Sequence, residues 1–175
     1  SRVYPTKNLE DLFEQFPNGF TIYQTHRKED VVIDVELKGT KKGKPIEGYV
    51  AKISRKSGNE EKKIKIQYVN GILSSEDEEG LRELWPQKRF LFQDMSFNRE
   101  ILSNLELKSK SYSMKNGDFE LAYAVNMPNL NQYFNFPNSQ QVELSFHGSN
   151  SNKNYYYSVV VREKPEAFFR ETVSE

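Results

Sequence analysis

An α+β fold, with one large twisted antiparallel β-sheet and a few short helices packed on one face or at its ends, is predicted by three observations. Apolar and polar residues alternate over 31–37 and 64–68, the period of half-buried strands. The connections between such runs are short and rich in turn residues, as antiparallel neighbours require. Two other segments carry apolar residues at helical spacing behind capping residues.

The first helix is read from Leu9, Leu12, Phe13 and Phe16, which fall at i, i+3, i+4 and i+7. Thr6 or Asn8 can cap it, Asp11 holds the capping-box position, and Pro17-Asn18-Gly19 stops it. Phe20-Thr21-Ile22-Tyr23 opens the first strand. Val31, Ile33, Val35 and Leu37 line one face of the next. Tyr49, Ala51 and Ile53 are read as the apolar face of a third, and Ile64, Ile66 and Tyr68 as that of a fourth, all sharing one side of the sheet. Ser75-Glu76-Asp77-Glu78 is a capping box ahead of Leu81, Leu84 and Trp85, its acids lying where the helix dipole favours them. Phe90, Leu91, Phe92, Met95 and Phe97 have no clear period and are read as a strand.

Beyond these, residues 112–114 and 118–125 pair across Lys115-Asn116-Gly117. Pro128, Leu130, Tyr133 and Phe134 suit a short helix with Pro in its first turn. Val142, Leu144 and Phe146 form a strand, 148–154 a polar loop, and Tyr155, Tyr157, Val159 and Val161 the last long strand before an acidic tail. No repeat or long linker divides the chain, so residues 1–175 are expected to form one domain.

Twenty-five Lys and Arg balance 25 Asp and Glu, and this zero net charge argues against a nucleic-acid partner, whose affinity rests on phosphate neutralisation. The 12 Phe and 10 Tyr supply large side chains for a core. No apolar run of about 18 residues spans a membrane, and Ser1-Arg2-Val3-Tyr4 lacks the character of a signal peptide. With no cysteine there is neither disulfide nor thiolate metal site.

Candidate chemistry is sparse. His26 and His147 have no second ligand at helical spacing, so both read as surface or edge histidines, and no metal or cofactor is expected. The acids at 76–79 lack the alternating ligands and central glycine of a calcium loop. No phosphate cradle or nucleophile elbow is present. Two lysine clusters, Lys41, Lys42 and Lys44 and then Lys62, Lys63 and Lys65, flank two turns of one meander. They are expected to gather within a Debye length, about 8–10 Å, as an interaction patch. The plainer reading is that they protect sheet edges. Tyr156 is expected to point outward between two inward tyrosines and to anchor a partner.

The order of segments resembles the staphylococcal tandem lipoproteins. The resemblance rests on residues 4–12, Gly71-Ile72-Leu73 with the acidic helix start, the aromatic run 90–93, the stretch 125–133, the strand at 142–148 and the closing strand at 155–161. It implies a soluble extracellular part of a protein acylated on an N-terminal cysteine, which this chain does not contain, and held on the outer face of the bacterial membrane. It further implies contact with host protein or cell wall and carries no catalytic residues. Three readings compete: a non-enzymatic surface protein that binds through exposed loops, a carrier holding a small apolar ligand or lipid within a curved sheet, and a hydrolase or other enzyme, which the lack of a visible catalytic constellation disfavours.

Overall fold

The computed structural model describes residues 6–95, 103, 105–112, 118–151 and 154–175, with the strand segments 106–112, 118–119, 148–151 and 154–157 described by their backbones. Ten strands form one antiparallel sheet: β1 Phe20–Lys28, β2 Val31–Gly39, β3 Ile46–Ser54, β4 Glu60–Val69, β5 Ile72–Ser75, β6 Glu106–Tyr112, β7 Asp118–Val125, β8 Val142–Ser151, β9 Asn154–Lys164 and β10 Ala167–Ser174. Their order is β5-β4-β3-β2-β1-β10-β9-β8-β7-β6. Two five-stranded meanders are thus joined at their middle, where the first strand pairs with the last from Thr21↔Ser174 to Arg27↔Phe168. The predicted antiparallel sheet with few short helices is present, and the chain is mostly β.

The described helices are α1 Leu12–Gln15, α2 Glu78–Leu84, α3 Leu91–Asp94 and α4 Pro128–Phe134. All pack on one side of the sheet, here the covered face. A 3₁₀ turn, Leu9–Asp11, leads into α1, and Asn8 Oδ1 accepts the Glu10 N–H at 3.1 Å. Leu9, Leu12, Phe13 and Phe16 are buried against Ile22, Val35, Leu37 and Ile66. Gly39 makes room for them, because a Cβ there would stand 2.6–2.9 Å from the Phe20 and Phe13 rings. Leu81 and Trp85 complete this core, and α4 covers a second one of Leu144, Phe146, Val159, Val161 and Phe169. Helix α4 starts on Pro128 and ends on Asn135, whose left-handed backbone (φ 57°) turns the chain out of the helix.

Several expectations are corrected. The cap of α2 is Asp77, whose carboxylate accepts the Gly80 N–H, two residues later than the Ser75 expected from the sequence. Residues 91–94 are helical rather than extended. Residues 148–151 continue β8 and Asn154 begins β9, so most of the expected polar loop is strand. The supposed acidic tail is β10, at the centre of the sheet. Phe97 and the turn Lys115-Asn116-Gly117 lie outside the described residues.

The third strand is displaced by one residue from its expected face. Val50 lies between Val35 and Ile64, and Ile46 beside Tyr68, all on the covered face. Tyr49, Ala51 and Ile53 therefore point to the other side, while Ile33, Val35, Leu37, Ile64, Ile66 and Tyr68 face the helices as expected. Apolar residues occupy both parities of this strand, so alternation alone cannot choose between them. Packing chooses: Gly48 lies on the covered side, where a Cβ would collide with the Glu36 carbonyl of β2.

Candidate functional site

The side of the sheet away from the helices, the open face, carries polar cross-strand rows. One row runs Lys65, Tyr49, Glu36, Tyr23, Thr172, Ser158, His147, Glu120 across eight strands. At its N-terminal end these side chains line a groove of about 650 Å³ over β2 to β5, with Lys38, Glu47, Lys63, Gln67 and Ser74 among the walls. Acids and lysines alternate there. Lys63 Nζ stands 4.3 Å from the centre of the Tyr49 ring, a cation–π contact.

The phenols are held neutral. Partial burial raises Tyr49 above its ordinary value, reinforced by Glu36 and Asp34. Burial raises Tyr23 further, helped by its hydrogen bond to Asp34. Asp34 also accepts the Thr25 hydroxyl at 2.8 Å. Tyr23 and Tyr49 thus remain hydroxyl donors throughout the physiological range, among carboxylate acceptors and ammonium donors. This chemistry suits reversible recognition of a polar surface.

The lysines named from the sequence do not come together. Consecutive turns of a meander lie at opposite ends of its strands. Lys41, Lys42 and Lys44 are exposed in the β2–β3 turn, and Lys62 and Lys63 start β4 at the other end of β3. Seven residue steps of extended chain, about 23 Å, separate Lys44 from Ala51, the partner of Lys63. That is well beyond a Debye length of about 8 Å. Lys62 points to the covered face and pairs with Asp77 at 3.5 Å. Only Lys63 and Lys65 enter the groove. Tyr156 occupies an open-face position between Ser149 and Ser174, and its side chain lies outside the described residues.

A second polar cluster, buried under the helices, went unnoticed in the sequence. Gln24 of β1 and Glu171 of β10 are direct partners at the seam, 0% and 2% exposed. Trp85 Nε1, which can only donate, binds Gln24 Oε1 at 3.0 Å and so fixes the amide's orientation. His26 Nε2 lies 2.9 Å from the same oxygen, so it is the protonated nitrogen of a neutral ring. Gln24 Nε2 then donates to Tyr133 Oη at 2.8 Å and to Glu171 Oε2 at 2.7 Å. Tyr133 Oη donates in turn to the Arg89 carbonyl at 2.7 Å. Glu171 also accepts the Leu91 and Phe92 N–H groups at 2.7 and 3.1 Å, capping α3.

Burial dominates the electrostatics of this cluster. It pushes the Glu171 carboxyl up to about 7 against the pull of its three donors, and it pulls His26 down to about 4. His26 is therefore no edge residue: it sits in a central strand, edge-on to Phe169 with ring centres 5.0 Å apart. The cluster ties both meanders to three helices. Two signals could have exposed it: a glutamate at an apolar parity of the last strand, and a glutamine at one of the first. Among the described residues no group of three or more His, Asp or Glu is placed to hold a metal ion.

Compared with models of known protein families and with characterised protein sequences, the chain matches none.

Proposed function

We propose that the chain is the extracellular part of a non-enzymatic surface lipoprotein of a Gram-positive bacterium, and that it contacts host protein or cell wall through the open face of its sheet. One observation carries this reading. The described helices all lie on one side, and the side they leave uncovered bears a groove lined by Tyr49, three glutamates and three lysines. The covered side is packed by Trp85, Phe16, Phe90 and leucines with essentially no exposure, which supports surface recognition over carriage of an apolar ligand between sheet and helices.

Tethering rests on the resemblance to staphylococcal tandem lipoproteins, in which the anchor is a lipid on a cysteine outside this sequence. No helix among the described residues is long and apolar enough to cross a membrane, which is compatible with such an anchor. The partner is a host protein or a wall component, and no nucleic acid or cofactor is invoked.

Charge reversal tests the reading. Lys63→Glu with Lys65→Glu alters the groove, while Lys41→Glu with Lys42→Glu alters a turn at the far end of β3. Binding of the chain to isolated cell walls and to host cells is then measured at low and physiological salt. The groove pair should weaken binding about tenfold or more and the turn pair should not. Equal binding by the groove pair and wild type would remove the groove from the interaction.

A further inference from the structure

We propose that Arg27, Arg162 and Arg170, gathered around Phe168 on the open face, form a binding site for a phosphoryl group. The site stands on β1, β10 and β9, apart from the Tyr49 groove, and neither requires the other.

Strand register brings the three together. Arg27 is the direct partner of Phe168, and Phe168 of Arg162. Both guanidiniums stand over the ring, at 5.4 and 5.0 Å from its centre. Arg170 follows Phe168 by two residues on the same strand and so on the same face, opposite Thr25 and Val160. Three cations thus occupy adjacent positions on three neighbouring strands. Like charges gathered on one face of a sheet repel one another. The Phe168 ring offsets part of the cost through cation–π attraction.

No carboxylate of the described residues supplies the rest. None of the three arginines takes part in an ion pair there. Glu143 is the register partner of Arg162 yet makes no ion pair with it. Asp34 lies two strands from Arg170 and is already engaged by Thr25. Arg27 Nε is buried without any acceptor, an uncommon state that calls for a missing partner such as an ion. The open demand is therefore for a multiply charged anion.

The geometry favours a phosphoryl group over a single carboxylate. Each guanidinium offers a planar fork of donors that matches two oxygens of a phosphate, and the Phe168 ring lies within 5.4 Å of two of them before any ligand arrives. A tetrahedral group with several charged oxygens can accept from forks on more than one of these neighbouring strands. Free phosphate and the phosphodiester of a lipid headgroup share this chemistry.

The experiment uses the full chain. Inorganic phosphate and pyrophosphate are titrated by calorimetry at low salt. Co-sedimentation with phosphatidylglycerol vesicles, against phosphatidylcholine vesicles, distinguishes a headgroup from a free anion. Arg27 Nε is buried, so the variants are Arg162→Gln, Arg170→Gln and Arg162→Lys, with Lys41→Gln as the charge-matched control for either Arg→Gln change. Circular dichroism checks that each is folded. Saturable binding of at least one probe is expected, weakened about tenfold by either Arg→Gln change and untouched by the control. Arg162→Lys should also weaken it, since a lysine keeps the charge without the fork. The proposal is overturned if no probe binds saturably, or if the lysine control weakens binding as much as the arginine variants do.

Discussion

Glu171 meets the interior with no ion-pair partner among the described residues; burial raises its carboxyl, Gln24 and the Leu91 and Phe92 amides pull it back, and Asp94 adds to the rise. Its folded value, about 7, exceeds the ordinary 4.5, so the folded chain holds a proton that the unfolded chain releases between those values. Its contribution to stability is therefore full below about pH 4.5 and is lost as pH rises through 7, on the order of 3 kcal/mol. His26 runs the other way. With a folded value of about 4 against 6.5, it costs stability as pH falls from 6.5 through 4. The two slopes cancel between about pH 4.5 and 6.5. Glu171→Gln should therefore unmask a rise in unfolding free energy with pH across that window, and His26→Leu a fall. Urea unfolding at four pH values from 4.5 to 7.5 checks both, and superimposable pH profiles for Glu171→Gln and wild type would show that the carboxyl does not titrate there. Residue by residue, the sequence was legible wherever one parity was clearly apolar, as at Val35 and Ile66. It was not legible at Tyr49, where both parities are apolar, nor at Gln24 and Glu171, whose burial depends on partners that lie far along the chain.

Among the elements, β10 most alters the architecture. Glu166, Glu171 and Glu175 lend the C-terminus the look of a solvated tail, and adjacent Phe168 and Phe169 blur its alternation, because one faces the arginines and the other the core. Its place between β1 and β9 comes from pairing across the whole chain, which no local pattern reports. Truncation after Pro165 should expose both edges at the seam and the Leu91 and Phe92 amides, and abolish cooperative unfolding. A truncated chain with a sigmoidal urea transition near the wild-type midpoint would contradict this. Helix α1 was legible because its stripe is local. Phe13 packs edge-on to Phe20 at 4.8 Å and is buried. Phe13→Ala should cost roughly 3–5 kcal/mol, read as a lowered denaturation midpoint. Helix α3 was not legible, since its cap is the Glu171 carboxylate from another strand rather than a residue before it.

On the scale of the molecule, zero net charge conceals an uneven surface. Arginines collect around Phe168 on the central strands, and acids alternate with lysines in the groove over β2 to β5. Attraction to any partner is then local and depends on which patch it meets. The described helices close one face with aromatic and leucine packing, and the proposed contact is assigned to the sheet's other face. The central claim is that this open face makes the contact. It is tested most directly by the rates at which lysines are acetylated in the chain when free and when bound to cell walls or host cells. The account predicts slowed labelling of Lys38, Lys63 and Lys65 in the bound state, with Lys41, Lys42 and Lys88 labelled as in the free chain. Unchanged labelling at the three groove lysines, with protection of the turn lysines or of Lys88, would contradict it.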